Sequence, residues 1–158
     1  MQQTIWLWLA LGLVLIGTGC REDITPQEQA TLDRQEIEAY VAENNLDGQF
    51  TLDGIYYEIT AGADTAAGYP APNDTLVIEY EASFLNGEVF DRSGGPGEAD
   101  TVALASTIDG WREIIPEFNR GASGYFIVPS GLAYGPNGFS VVPPNTVLRF
   151  DITLQDFY

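Results

Sequence analysis

The strictest alternation of apolar and polar residues runs from Thr75 to Phe84. Leu76, Ile78, Tyr80, Ala82 and Phe84 share one face, and Thr75, Val77, Glu79, Glu81 and Ser83 share the other. A period of two over this length predicts a half-buried β-strand. The same rule selects Ile55, Tyr57 and Ile59, and the C-terminal set Leu148, Phe150, Ile152 and Leu154, while Tyr125 to Val128 reads as a compact, continuously apolar strand. Asn86-Gly87 carries the signal of a type I′ hairpin turn. Val89 and Phe90 begin the return strand.

Helical spacing occurs in two places. Thr25 is a good N-cap, Pro26 suits the first helical position, and Glu28 completes a capping box. Ile37, Tyr40 and Val41 fall on one helical face, and Asn44 to Gly48 is a stop signal, so a helix is predicted over 26–45. This helix reads as a packing element or spacer, with partner binding as the alternative. A shorter helical stretch runs from Trp111 to Phe118, interrupted by Pro116. Ala61 to Asn73 and Gly94 to Gly97 are Gly/Pro-rich and read as loops. No internal repeat is visible. The pattern predicts an α+β fold: a mainly antiparallel sheet, one short internal helix and one leading N-terminal helix.

The pattern before residue 20 is different. Ile5 to Ile16 is an unbroken apolar run followed by Gly17-Thr18-Gly19-Cys20. As a helix it would span about 18 Å, short of the roughly 30 Å hydrocarbon core of a bilayer. That length suits the apolar region of a signal peptide. Leu15 to Cys20 resembles a bacterial lipobox, which implies lipidation at Cys20. A single-pass anchor with a structural cysteine is the competing reading. The expected layout is a signal peptide over 1–19, a lipid-anchored tether over 20–25, the N-terminal helix over 26–48 and one domain over 49–158.

Charge narrows the function further. The chain has 158 residues with 23 acidic and 6 basic side chains, no histidine, and a net charge of −17. All the basic residues are arginines. Such a surface repels nucleic acid and anionic headgroups, so no nucleic-acid partner is expected and membrane attachment needs a lipid. An acidic, lysine-free surface also fits adaptation to high salt. Without histidine there is no Ser-His-Asp triad, no Cys-His pair and no histidine-bound zinc. With one cysteine no intramolecular disulfide can form.

Six ordered motifs lie within residues 73–158. They are Asp74 to Tyr80, Asn86 to Asp91, Ile108 to Trp111, Val128 to Gly135, Val142 to Thr146, and Leu148 to Asp151. Together they resemble the FKBP-type peptidyl-prolyl cis/trans isomerases. Asp53 to Tyr57 is similar to the lead-in strand of exported members. The resemblance implies a half-open antiparallel sheet wrapped on a short helix. It also implies prolyl isomerisation without cofactor or metal, acting on proline-containing polypeptide clients at the cell envelope; a catalytically weak proline-segment binding module or chaperone and a structural envelope lipoprotein are the alternatives, and nothing in the sequence demands more than a monomer.

It further implies residue roles. Trp111 would floor a proline pocket walled by Tyr80, Phe90 and Phe150, with Val102 beside them. The Ile108 N–H and the Tyr134 hydroxyl would each meet a substrate carbonyl, and Asp91 would set local polarity. Thr107, Phe139 and Val142 would be further substrate contacts. On spacing alone, Tyr80, Trp111 and Phe150 read equally as ordinary core, and Asp91 as a turn cap. Phe139 reads either as a substrate contact or as a loop anchor. The chain departs from the family in lacking the arginine often found several residues after Asp91; Arg92 is the only one nearby.

Overall fold

The computed structural model describes residues 24–62, 66, 68–95 and 97–158. The expected signal peptide, Cys20 and most of the tether lie outside them.

Helix α1 (Pro26–Glu43) begins as expected. The Glu28 N–H donates to Thr25 Oγ1 at 3.2 Å, and the Thr25 N–H donates back to Glu28 Oε2 at 2.8 Å. Two of the helix's orphan donors are thus satisfied reciprocally. Among the described residues seven strands follow: β1 (Gln49–Phe50), β2 (Tyr56–Ala61), β3 (Thr75–Phe84), β4 (Val89–Arg92), β5 (Asp100–Ala103), β6 (Ser123–Val128) and β7 (Leu148–Phe157). Helix α2 (Asp109–Ile114) separates β5 from β6. A 3-10 turn at Ile115–Glu117 continues it where Pro116 ends the α-helical pattern.

All pairings are antiparallel, in the order β1-β2-β6-β7-β3-β4. The long strand β3 serves two partners along one edge. Thr75–Ile78 pair with β5, and Glu81–Ser83 pair with β4. Its other edge is taken by β7 along the whole length. The β4–β5 excursion therefore leaves β3 at Glu81, opposite Arg92, and rejoins it at Ile78, opposite Asp100, which brings its flanking residues to the middle of that strand beside Tyr80.

Two apolar clusters hold the layers. The main core lies between the sheet and α2. Trp111, Ile114, Ile115 and Phe118 pack there with Leu76, Ile78, Phe126, Leu148, Phe150 and Leu154, all buried. Burying side chains of this size contributes about 1.5–3 kcal/mol each. Gly110 is required at this contact. A Cβ there would come within 2.5 Å of Val128 Cγ1, so only glycine lets α2 settle onto β6. The second cluster lies on the opposite face, where Ile37 of α1 meets Tyr56, Tyr125, Ile127 and Val147. Arg34 of α1 lies over the Phe50 ring at 3.5 Å.

Two sequence expectations need correction. The turn at Asn86-Gly87 is not type I′, because only Gly87 has a positive φ, at 87°. The Gly87 N–H donates to the Phe84 carbonyl at 3.0 Å, closing a turn centred on Leu85-Asn86 with Gly87 in the left-handed region beyond it. The register of β3 against β4 shifts at Ala82/Ser83. A bulge absorbs the extra residue that a two-residue turn would not have had. The strand at Ile55–Ile59 is not half-solvated. Tyr57 faces the main core, but Tyr56 is buried beneath α1, and Ile59 remains 39% exposed. Alternation assumes one dry face, and here α1 dries the other.

Candidate functional site

The rings meet on the concave side of the sheet. Trp111, in the first turn of α2, is 4% exposed and makes edge-to-face contacts with Tyr80 at 5.4 Å, Phe150 at 5.6 Å and Phe126 at 6.0 Å. These come from the inner faces of β3, β7 and β6. Alternation dictated the faces of Tyr80 and Phe150, Phe126 comes from a continuously apolar strand, and the strand order made them neighbours. Centroid spacings of this kind are favourable beyond area burial alone. Phe126 and Phe150 stack at 5.3 Å. Trp111 Nε1 is buried with no acceptor among the described residues.

Around this dry centre sits a half-buried set. Tyr80, Phe90, Val102, Ile108 and Tyr134 all pack against the main core while remaining partly accessible. Phe90 packs on Phe84 at 5.0 Å. The polar groups of the site are few. The Tyr80 hydroxyl donates to Asp91 Oδ2 at 3.0 Å, and Asp91 Oδ1 accepts the Arg92 N–H at 2.9 Å. Arg92 itself turns to Glu81, 3.7 Å away. Burial, and then the bond to Asp91, push the Tyr80 phenol above its ordinary value. Burial, and then the Asp91 charge, do the same to Tyr134. Both hydroxyls are therefore protonated donors across the neutral range. Among the described residues, the Ile108 N–H and the Tyr134 hydroxyl have no hydrogen-bond partner.

The remaining expected contacts divide. Phe139 is 65% exposed and stacks on Tyr134 at 5.2 Å, with the rings 16° from parallel. Its backbone is fixed by reciprocal N–H to C=O bonds with Val142 at 2.9 and 2.8 Å. Val142 is only 5% exposed and belongs to the main core, so its side chain supports the wall from within. The Thr107 hydroxyl donates to its own turn, to the Leu104 carbonyl at 2.7 Å.

Two residues of the site's framework escaped the sequence reading. Ser93, immediately before the Gly94–Gly97 loop, is buried. Its Oγ accepts the Tyr80 N–H at 3.1 Å, and its N–H donates to the Tyr80 carbonyl at 3.0 Å. It extends the β3–β4 pairing by one residue and pins the strand that carries Tyr80. Asp33 in α1 is also buried and bonds to Ser130, at the root of the loop bearing Tyr134. Neither position stands out by type, since serine in a Gly-rich stretch reads as loop and aspartate on a helix reads as solvated.

A groove of about 600 Å³ crosses the other face of the sheet, lined by Glu79, Glu81, Arg92, Arg149 and Asp151 among others. Its charged lining is the wrong chemistry for a proline ring. The aromatic cluster, where α2 meets β3, β6 and β7, is the better candidate site.

An antiparallel sheet half-closed on a short helix, with an aromatic cluster beneath that helix and few polar groups at its edge, defines a fold of the prolyl-isomerase class. Residues 67–155 match the family described as FKBP-type peptidyl-prolyl cis-trans isomerase, and the chain belongs to that family. It is 34% identical over 102 residues to the FKBP-type peptidyl-prolyl cis-trans isomerase FkpA of Escherichia coli strain K12, covering 65% of this chain and 37% of that one. It is 36% identical over 115 residues to the peptidyl-prolyl cis-trans isomerase Mip of Coxiella burnetii, covering 72% and 49%. The chain thus spans between about a third and a half of these bacterial relatives. Against FK506-binding protein 1 of Kluyveromyces lactis it is 32% identical over 108 residues and covers 94% of that protein. The crystal structure of FkpA from Escherichia coli superposes with a TM-score of 0.70 at 26% identity, over 83% of this chain and 62% of that one.

Proposed function

We propose that this protein is a peptidyl-prolyl cis/trans isomerase acting on exported polypeptides at the cell envelope. The observation that carries the reading is the dry Trp111 floor flanked by two unpartnered donors, the Ile108 N–H and the Tyr134 hydroxyl.

The chemistry follows from the amide. Resonance holds the peptide bond planar with a barrier of about 18–20 kcal/mol. At X-Pro bonds isomerisation takes tens to hundreds of seconds. Twisting the bond breaks the resonance, and the carbonyl–nitrogen unit becomes less polar. An apolar surface therefore favours the twisted state over the planar one. Lowering the barrier by about 6 kcal/mol would accelerate the reaction roughly 10⁴-fold. In this reading the proline ring sits on Trp111 between Tyr80, Phe90, Val102 and Phe150. Ile108 and Tyr134 hold the flanking carbonyls, and Asp91, oriented by Tyr80, sets the field at the twisting bond. Phe139 extends the surface along the bound chain, and Thr107 and Val142 shape it from behind. Catalysis is then differential binding of the twisted amide, with no nucleophile or base.

The apolar run Ile5–Ile16 and the small residues before Cys20 support a lipid-anchored form. In that form residues 1–19 are removed, Cys20 is acylated, and 20–25 tether the helix of 26–48 and the isomerase domain of 49–158 to the membrane. No helix among the described residues is long and apolar enough to cross a membrane. We take the working unit to be a monomer.

The test is a protease-coupled or NMR-exchange assay of a short X-Pro peptide with the full chain. Acceleration that collapses in Phe90→Ala and Asp91→Ala is the expected result. A folded protein with no acceleration would overturn the enzymatic reading and leave a proline-segment binding module.

A further inference from the structure

Asp33 is the only buried acidic side chain among the described residues, at 1% exposure. A carboxylate in such a place is costly unless donors surround it. Three do. The Ser130 N–H and Ser130 Oγ donate to Asp33 Oδ2 at 2.7 and 2.6 Å, and Gln29 Nε2 donates to Oδ1 at 2.6 Å.

The place these bonds grip is specific. Ser130 opens the 3-10 turn Ser130–Leu132, which ends β6 and leads directly into Ala133 and Tyr134. A cavity of about 380 Å³ lies between this turn and α1, walled by Ala30, Pro129, Leu132, Pro136 and Asn145. On its other side the turn meets α2. A Cβ on Gly110 would lie 3.3 Å from the Leu132 carbonyl oxygen, one residue from Trp111. The turn is therefore clamped between the leading helix, through Asp33, and the helix that carries the pocket floor.

We propose that Asp33 is a positioning residue for the Tyr134 side of the pocket. α1, whose apolar residues pack in the second cluster on the opposite face of the sheet, would thereby set the geometry of the site. The role in turnover rests on the isomerase reading; the mechanical role does not.

Two measurements on the full chain test it. In the X-Pro assay, Asp33→Ala lowers kcat/KM by about fivefold or more. Asp33→Asn stays within about twofold, because its oxygen keeps Ser130 while the Gln29 amide turns over to accept. Ser130→Ala falls between, and the Asp33→Ala/Ser130→Ala pair is sub-additive. In a Tyr134→Phe background the Asp33→Ala loss shrinks to less than about twofold, which general destabilisation would not produce. Independently of turnover, amide exchange at Leu132 and Ala133 speeds up by about tenfold or more in Asp33→Ala, while Ile127 in β6 stays protected. These two amides close the turn on the Pro129 and Ser130 carbonyls, each at 3.0 Å. Unchanged exchange at Leu132 and Ala133, or an equal fractional loss with and without the Tyr134 hydroxyl, overturns the proposal. If the wild-type chain shows no turnover, only the isomerase reading falls, and the exchange result still decides the clamp. Should Asp33→Ala fail to fold, Ser130→Ala carries both measurements.

Discussion

The Tyr80 hydroxyl donates to Asp91 Oδ2 across 3.0 Å, joining β3 to β4 at the edge of the aromatic cluster. Arg92 pairs with Glu81 instead of Asp91, so tyrosine is the side chain that orients this carboxylate. Asp91→Ala should lower kcat/KM by about tenfold or more, equivalent to about 1.4 kcal/mol of lost transition-state stabilisation. Tyr80→Phe should lose less, and the double variant should lose little beyond Asp91→Ala. Strict additivity would show that the two act separately.

The phenols give a pH signature. Burial raises Tyr57, Tyr80, Tyr125 and Tyr134 above the ordinary tyrosine value, with Glu117, Asp91, Glu58 and Asp91 respectively adding to it. A group whose folded pKa is raised contributes stability that is complete below its unfolded value and is lost above it. The protein should hold its Tm up to about pH 10 and lose it beyond. Absorbance titration should show these phenols ionising only with unfolding. A reversible titration of all tyrosines near the free value in folded protein would contradict the buried network.

Trp111 serves fold and site together. Trp111→Ala removes the shared edge partner of Tyr80, Phe126 and Phe150. It should cost about 3–5 kcal/mol of stability, read by denaturant melts, and abolish turnover. A change under about 1 kcal/mol would mean that the cluster collapses around the gap.

Phe139 separates surface from core. At 65% exposure its truncation should leave stability within about 0.5 kcal/mol. If it lies along the bound chain, Phe139→Ala raises KM for longer apolar peptides and leaves kcat nearly unchanged. Identical kinetics would reduce it to a partner for the Tyr134 ring.

Salt should matter. Each of the described arginines, Arg34, Arg92, Arg112, Arg120 and Arg149, already pairs with a carboxylate, so most of the net charge of −17 rests on acids without a cation. Raising salt from about 0.01 to 1 M shortens the screening length from about 30 to 3 Å. The Tm should climb over that range, and an unchanged Tm would remove the case for a salt-adapted surface.

The legible parts were those fixed by local rules. The capping box at Thr25 and Glu28 placed the start of α1, and alternation placed β3 and β7 with their inward faces. The Ile108–Trp111 motif put the indole on the short helix. Less legible was anything that depended on what covered a surface. Tyr56 reads as solvated until α1 lies over it. Val142 reads as a contact until the loop folds its side chain into the core. The Asn86-Gly87 turn goes with a register shift in β3–β4 pairing that no dipeptide encodes.

The sequence by itself determined the α+β class, the strand faces, the aromatic set and the exclusion of histidine chemistry, because backbone propensity, side-chain period and composition act locally. Only the tertiary structure decided that Tyr80 orients Asp91, that Ser93 pins Tyr80, and that Asp33 reaches Ser130. Asp33 and Ser130 stand 97 positions apart in the chain. A buried carboxylate and its donors are matched by geometry in space, and that match leaves no periodic mark along the sequence.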